Sequence, residues 1–286
     1  MTGLCVAVGS KGGAGEPSVL QPQRFGGIFG GHMICLKSNR ELETMDRANS
    51  LVHRVLRAVK AAAAPGVSTL ELDELAEEMI RADGGVPAFK GYRGFPATLC
   101  TSVNDVIVHG IPNSQTRFSE GDLVSVDCGV LLDGFYGDAA ITFGIGALSD
   151  EAKELMDVTR RCLDDAVAAV QPDARLGDVG AAVQVRAEDA GFGVVREFVG
   201  HGIGRALHEE PQVPNYGKPG HGQRLKPGLV IAIEPMITGG SWRVSIDDDG
   251  WTARTEDGRL AAHFEYSVAV TVDGRRVLGL EESMNA

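Results

Sequence analysis

The sequence predicts one α/β domain built from two similar halves. Two segments with helical spacing are followed by strand-like segments, and this order occurs twice along the chain. The stretches PGVSTL from Pro65 and PDARL from Pro172 fall at equivalent places in the two passes, about 106 residues apart. No Ser- and Pro-rich linker separates them. We therefore expect a single pseudo-symmetric domain over residues 34–286, preceded by an extension at residues 1–33.

The first half begins with two predicted helices. Apolar residues at helical spacing predict a helix from Asn39 to Ala63 with Asn39 as its cap; they are Leu42, Met45, Val52, Leu56 and Val59. A second helix is predicted after Pro65, where Ser68 and Glu71 match a capping box, and it should end at the glycine pair 84–85. Strand-like segments follow at about 98–109 and 123–143.

The second half repeats this order. Helices are predicted at about 149–170 and 176–190, separated by Pro172, which cannot continue a helix. Strands are predicted near 194–199, 229–234 and 263–272.

Composition excludes several classes of protein. The formal charge of −12 disfavours nonspecific binding to nucleic acids or to anionic membranes. The five cysteines are odd in number and form no CxxC pattern, so neither a disulfide framework nor a thiolate zinc site is indicated. No apolar run approaches the length of a membrane span, and residues 1–13 do not resemble a secretion signal. We expect a cytoplasmic protein.

Residues 1–33 are rich in glycine and show no sustained helical or strand period, which predicts a flexible extension. The stretch SKGGAGEPS within it invites comparison with a phosphate-binding loop. Ser10, Glu16 and Pro17 stand where that motif needs its first glycine, its lysine and its hydroxyl residue, so the nucleotide interpretation fails.

Carboxylates inside apolar strand patterns are the most informative feature. In LVSVDCGVLLDGFYGDAAITF, Asp127 alternates with Val124, Val126 and Cys128, and the Asp133-Gly134 pair predicts a hairpin turn that brings Asp138 close to opposite Asp127. Two ionised carboxylates at that separation repel unless a cation lies between them. The alternative is a hairpin that carries two solvated aspartates.

Two more strands each carry one glutamate, since Glu234 ends the run GLVIAIEP and Glu265 interrupts HFEYSVAVTV. Each alone could be a strand-end residue exposed to water. Together with the two aspartates and a histidine they form an oxygen-rich set that suits two first-row divalent ions.

The stretch GHGIGRALHEEP supplies the histidine. Arg205 stands where a dinucleotide fingerprint needs its last glycine, so the glycines more plausibly let the backbone pass close to a crowded site. His201 would then bind metal and His208 would reach a substrate. A lone histidine is more often an ordinary core or surface residue, and His109, after the apolar VIV, carries the same ambiguity.

Several motifs resemble type I methionine aminopeptidases, in unbroken order over about residues 34–280. They are VNDVIVHGIP, VDCGVLLDGFYGDAA, GHGIGRALHEEPQVPNYG, IEPM and DGWTARTEDGRLAAHFEYSVAVT. The resemblance implies the α/β "pita-bread" fold, in which the two duplicated halves surround a central antiparallel sheet. It agrees with the duplication noted above.

The resemblance also implies roles for individual residues. It makes Asp127, Asp138, His201, Glu234 and Glu265 the ligands of two divalent metal ions (Mn, Fe, Co or Zn), with Asp138 and Glu265 bridging. Glu234 would move the proton from the attacking water to the leaving amine. His208 would steady the carbonyl oxygen and His109 would contact the scissile nitrogen.

By the same resemblance, an apolar pocket holds the methionine side chain. The matching positions are Tyr92, Phe95, Cys100, Leu207 and Trp251, although any of the aromatics could equally be core. Phe89, Leu207 and Tyr136 depart from the residues expected in the best-known bacterial members, which affects pocket shape and not the ligands.

The function expected is removal of the initiator methionine from new chains when the second residue is small and uncharged. The alternatives are a proline-directed aminopeptidase or prolidase of the same fold, which usually carries a large N-terminal domain, and a non-catalytic binding protein, which should have lost the ligands. We expect a monomer without a nucleic-acid or membrane site. Ribosome docking is a further candidate role for residues 1–33, although that stretch has neither paired CxxC zinc motifs nor a long charged tract.

Overall fold

The computed structural model describes residues 5–7 and 33–280. This part of the chain forms four helices, α1 Asn39–Ala62, α2 Thr69–Ala82, α3 Asp150–Ala169 and α4 Leu176–Asp189, and a short 3-10 helix at Tyr92–Gly94. Its strands are β1 Cys5–Ala7, β2 Met33–Cys35, β3 Val86–Pro87, β4 Leu99–Val103, β5 Val106–Val108, β6 Leu123–Leu132, β7 Phe135–Gly144, β8 Gly193–Val194, β9 Gly200–Gly202, β10 Glu209–Val213, β11 Val230–Ile233, β12 Met236–Thr238, β13 Val244–Ile246, β14 Ala253–Thr255, β15 Ala261–His263, β16 Glu265–Val270 and β17 Arg275–Val277.

A nine-stranded antiparallel sheet forms the centre of the molecule. Its main path runs β10-β9-β11-β16-β7-β6-β3, while β17 pairs with β16 and β4 pairs with β6. The long hairpin β6–β7 provides the middle of the sheet, and its turn at Asp133 and Gly134 has positive φ at both residues. That is the backbone which a two-residue hairpin requires and which Asp-Gly favours.

The four helices cover one face of this sheet. Val124, Val126 and Cys128 of β6 pack in one apolar cluster with α1 and α2, and a second cluster joins α3 and α4 to β11 and β16. Because strand side chains alternate between faces, Asp127 must point to the face that the helices leave open. The site described below lies on that open face.

The predicted duplication is confirmed. Each half contributes a long helix and a shorter one that covers the sheet, and an isolated bridge precedes each shorter helix, Ser68 to Arg117 in the first half and Arg175 to Arg224 in the second. The fold is the predicted pseudo-symmetric α/β arrangement around an antiparallel sheet.

The four predicted helices are present with bounds within a residue of those expected, but the cap of α1 is wrong. Asn39 is already helical, and the cap is Ser38, whose backbone N–H and hydroxyl both donate to the Glu41 carboxylate at 2.9 and 2.8 Å. A serine followed three residues later by glutamate is itself a capping box.

The strands were less predictable. The segment predicted at 194–199 is strand only at its start, in β8, because the chain then crosses to another sheet and resumes as β9. Short strands such as β10, β12 and β15 were missed, since three to five residues are too few for a period to show.

Most of the predicted extension at residues 1–33 lies outside the described residues. Within them, β1 pairs with β2 in a two-stranded ladder, and none of the helices is long and apolar enough to cross a membrane. Cys100, Cys128 and Cys162 are buried thiols without a disulfide.

Candidate metal centre and its pocket

Asp127 and Asp138 face each other diagonally across the β6–β7 hairpin. Asp127 is paired with Ala140, and Asp138 is paired with Gly129, two residues further along. The prediction that the two stand nearly opposite is therefore refined to a diagonal pair on one face. Diagonal neighbours in a sheet remain within reach of each other's side chains.

Two glutamates complete the acidic set from neighbouring strands. Glu265, the first residue of β16, is paired with the same Ala140 that Asp127 faces, so the small alanine side chain lies between two carboxylates. Glu234 follows the last residue of β11, which is paired with β16 at Ile233 and Tyr266. Adjacent strands thus bring all four predicted carboxylates together.

His201 enters from β9 with a defined tautomer. Its Nδ1 lies 2.9 Å from the carbonyl oxygen of Gly202, which can only accept, so Nδ1 carries the proton and Nε2 presents its lone pair. That Nε2 lies 3.7 Å from Glu234 Oε1 and 4.0 Å from Asp138 Oδ2. Burial lowers the pKa of His201 to about 4, so the ring is neutral and able to bind a metal.

The carboxylates are buried without the partners that their charge needs. Burial raises the pKa of Asp127 to about 7, and it raises the pKa values of Asp138, Glu234 and Glu265 well above their usual range, with the neighbouring carboxylates adding to the effect. Among the described residues, Asp127 Oδ1, Asp138 Oδ1 and Glu265 Oε1 find no hydrogen-bond partner. Charges in this state are stable only when a cation pairs with them.

The donor set fits such a cation. Atoms of Asp138, His201 and Glu265 lie within 4.8 Å of one another, as a shared metal requires. Carboxylate oxygens and one imidazole nitrogen suit first-row divalent ions. We name the five side chains Asp127, Asp138, His201, Glu234 and Glu265 the polar wall.

The polar wall closes one side of a cavity of about 490 Å³. The cavity is also lined by the five residues predicted for a side-chain pocket, named here the apolar wall: Tyr92, Phe95, Cys100, Leu207 and Trp251. Phe95, Cys100 and Leu207 are buried, and Trp251 meets Phe95 edge to face with ring centres 5.2 Å apart. Phe89 also lines the cavity, and Tyr136 packs beside the apolar wall.

His208 and His109 stand between the two walls. Nδ1 of His208 lies 2.8 Å from the Tyr92 hydroxyl, and its ring lies 4.2 Å from that of His201. His109 has a positive φ of 60° and meets Phe198 edge to face at 5.2 Å. Enclosure in the cavity lowers the pKa of His109 to about 4, and burial beside His201 lowers the pKa of His208 as well. Both rings are neutral.

Sequence reasoning missed part of the lining. Phe198, Gln212 and Arg93 line the cavity, and none of them interrupts a strand pattern or carries a charge at an unusual place. The only signal for Phe198 was its position three residues before His201.

Comparisons with known proteins agree with this geometry. The model of a protein family described as metallopeptidase family M24 matches residues 43–272. The chain belongs to metallopeptidase family M24. The fold and the family predicted from the sequence are thereby confirmed. The protein is a metallopeptidase that uses divalent metal.

Individual relatives place the chain more finely within M24. A protein from Mycobacterium tuberculosis named methionine aminopeptidase 1 is 49% identical over 259 residues, covering 88% of this chain and 97% of the relative. The crystal structure of a methionine aminopeptidase from Thermotoga maritima is 45% identical and superposes with a TM-score of 0.86, covering 87% of this chain and all of that one. A prolidase from Pyrococcus furiosus, 21% identical with a TM-score of 0.69, shares the fold alone.

Proposed function

We propose that the protein removes the initiator methionine from new polypeptides when the second residue is small and uncharged. One observation carries the proposal: a buried set of carboxylates and a neutral histidine shares a cavity with an apolar wall that ends in a thiol and aromatic rings. The apolar wall suits the side chain of a methionine, and the polar wall suits the metal ions that amide hydrolysis would use. The likeness to two methionine aminopeptidases supports the same substrate.

The residues of the polar wall would hold two divalent ions, Mn, Fe, Co or Zn, with Asp138 and Glu265 shared between them. The unpartnered oxygens of Asp127, Asp138 and Glu265 support this assignment. Bound ions of this kind polarise a carbonyl and make water nucleophilic at neutral pH.

Three residues of the chain would act on the substrate directly. Glu234, a carboxylate that lines the cavity beside His201, would take the proton from the attacking water and deliver it to the leaving nitrogen. His208, neutral and held at Nδ1 by Tyr92, would donate from Nε2 to the substrate carbonyl oxygen as it gains charge. His109 would contact the nitrogen of the scissile bond.

The apolar wall would bind the methionine side chain. Leu207 and Cys100 are almost fully buried, so they form the fixed floor of the pocket, while Trp251 and Tyr92 are half-buried and border its opening. Burial of a side chain of this size contributes roughly 1.5–3 kcal/mol. We further propose that residues 34–286 act as one catalytic domain, as a monomer in the cytoplasm, where new chains are made.

The test is release of free methionine from Met-Ala-Ser and Met-Leu-Ser peptides. The protein is stripped of metal and then supplied with Mn, Co, Fe or Zn in turn. The proposal expects release from the alanine peptide alone, and only with metal. Cleavage of an X-Pro peptide without methionine release would assign the chain to the proline-directed branch of the fold. No cleavage of either the methionyl peptides or the X-Pro peptide would favour a binding protein.

A further inference from the structure

The loop at residues 203–208 connects β9 to β10 and carries one residue of the apolar wall and one histidine beside the polar wall. Leu207 is a buried part of the apolar wall, and His208 faces the polar wall. Arg205 in the middle of the loop has a side chain that is 63% exposed. Ile203 and Leu207 are buried near either end of the loop, whereas Arg205 and Ala206 in its middle are exposed, so polar contacts must fix this middle part.

The Arg205 guanidinium pairs with Glu41 at 3.1 Å and lies over the Phe135 ring, and a second carboxylate, that of Glu209, binds the backbone of the loop. Glu209 Oε1 accepts the backbone N–H groups of Arg205 and Ala206 at 2.8 and 3.2 Å, which binds the loop to the first residue of β10. Glu209 Oε2 accepts Lys37 Nζ at 2.6 Å. The carboxylate therefore accepts hydrogen bonds from one ammonium and two amide groups.

The ammonium comes from a remote part of the chain and is buried. Only 5% of the Lys37 side chain and 13% of the Glu209 side chain are exposed, and Lys37 Nζ also donates to the carbonyl oxygen of Cys35 at 3.0 Å. The Lys37 backbone is itself fixed, since its N–H donates to Gly228 O at 2.7 Å. Buried ion pairs add little net stability in general, and in some proteins their role is to specify geometry.

The fit around the pair is close. A Cβ at Gly204 would lie 2.4 Å from Lys37 Cε and 2.6 Å from Glu209 Oε1, so a larger residue there would have to displace the ends of both side chains of the pair. On its other side, Gly204 O accepts the N–H of Tyr136 at 2.8 Å. The loop is thus held between β7 and the Lys37–Glu209 pair.

We propose that Lys37 and Glu209 are positioning residues, whose buried pair holds the 203–208 loop so that Leu207 and His208 stand at the site. This inference rests on the proposed function for what His208 does, while the holding of the loop is independent of it. Tyr92 holds the His208 ring at Nδ1, and Glu209 holds the loop backbone at Arg205 and Ala206, which precede His208 in the chain.

The kinetic test compares Glu209→Gln and Lys37→Met with Lys153→Met, which breaks an exposed ion pair on α3. Displacement of His208 should lower kcat/KM for Met-Ala-Ser about 100-fold in the first two variants and leave the control unchanged. In a His208→Ala background, Glu209→Gln should cost less than about threefold more, because residues that act as one unit are not additive. Equal losses in both backgrounds would overturn the proposal.

A second readout does not depend on activity. Trypsin should cut after Arg205 faster in Glu209→Gln and Lys37→Met than in the parent or in Lys153→Met, since the loop loses its anchor. An unchanged rate at Arg205 would overturn the proposal. If the parent releases no methionine, the proposed function fails, and the cleavage rate alone still decides whether the pair holds the loop.

The double variant Lys37→Met/Glu209→Gln guards against misfolding of a single variant. Each single change leaves one buried polar group facing a lost partner, whereas the double change removes both charges together. The double variant should fold, as checked by circular dichroism. Trypsin should still cut it after Arg205 faster than it cuts the parent. Its fold-loss of kcat/KM should be smaller than the product of the fold-losses of the two single variants. Parent-like cleavage in the folded double variant would contradict the anchor.

Discussion

The polar and apolar walls of the cavity are built on different kinds of backbone. Four of the five residues of the polar wall lie on strands of the central sheet, and Glu234 lies one residue beyond a strand. In the apolar wall only Cys100 lies on a strand of that sheet, whereas Tyr92 begins a 3-10 helix and Phe95, Leu207 and Trp251 lie in loops. One wall is fixed by ladders of backbone hydrogen bonds, and the other by individual side-chain contacts such as the Phe95–Trp251 ring pair and the Tyr92–His208 hydrogen bond.

This difference separates two requirements of the site. Charges that share a cation must be held against their own repulsion, which the ladder between β6, β7 and β16 does, with Asn49 accepting the Asp138 N–H and Ser267 donating to the Asp138 carbonyl oxygen. A pocket for a flexible side chain needs shape, and loops can change shape without disturbing the sheet. Changes to the polar wall should therefore affect the reaction itself, and changes to the apolar wall should affect substrate binding.

The largest effect is expected from Asp138→Asn. Loss of a shared carboxylate removes several kcal/mol of transition-state stabilisation, so kcat/KM should fall by about 10³-fold or more at any metal concentration. Asp133→Asn is the matched control, because Asp133 lies in the turn of the same hairpin, is exposed, and has a positive φ that asparagine tolerates. Near-parent activity of Asp138→Asn would break the two-metal assignment.

Although Asp138→Asn should lose activity, it should be more stable than the parent when both are stripped of metal. Burial, Glu265 and Asp127 raise the pKa of Asp138, so its ionisation destabilises the metal-free fold as pH rises. The neutral amide removes this cost, and the metal-stripped variant should have a higher Tm than the stripped parent, most clearly at pH 8. A lower Tm at pH 8 would mean that repulsion within the polar wall is not what the metals relieve.

The same division decides what the sequence could predict. Asp127, Glu234 and Glu265 were recognisable because acidic residues interrupt apolar strand patterns, and the Asp-Gly turn indicated that Asp138 lies near Asp127. The diagonal offset follows from the same turn, because a two-residue loop at Asp133-Gly134 pairs Leu132 with Phe135 and therefore places Asp127 opposite Ala140, two residues from Asp138.

For the apolar wall, residue types alone gave nothing. Tyr92, Phe95 and Trp251 have the composition of ordinary core residues, and only resemblance to a family pointed to them. Lys37 and Glu209 gave no signal at all, since their partnership joins segments 172 residues apart. Short sequence patterns carry no information on contacts of that range.

A smaller effect is expected from Trp251→Ala. Loss of one ring from the opening of the pocket removes part of the methionine burial, so KM for Met-Ala-Ser should rise about 10-fold while kcat changes little. The control is Trp242→Ala, which removes the other tryptophan, a 37% exposed ring between Arg196 and Arg243. A fall in kcat at unchanged KM would show that the two walls do not divide binding from chemistry.

The last prediction concerns a residue in neither wall. His53 on α1 is 6% exposed, donates from Nε2 to Leu278 O at 3.2 Å and meets Tyr266 edge to face. Burial lowers the pKa of His53 to about 4, so folded protein holds the ring neutral while unfolded chain takes up a proton below about pH 6.5. Stability is then complete above pH 6.5 and is lost as pH falls toward 4, by about 2 kcal/mol at pH 5.

The variant His53→Gln keeps a donor for Leu278 and removes the group that titrates. In urea unfolding, the free energy of unfolding of this variant should depend less on pH between 6.5 and 4, with kcat/KM unchanged at neutral pH. His221→Gln, at an exposed histidine, should leave this pH dependence as it is. An altered kcat/KM in His53→Gln would show that the helix layer controls the polar wall through Tyr266, the neighbour of Glu265, and the sheet could no longer be treated as a support independent of the helices.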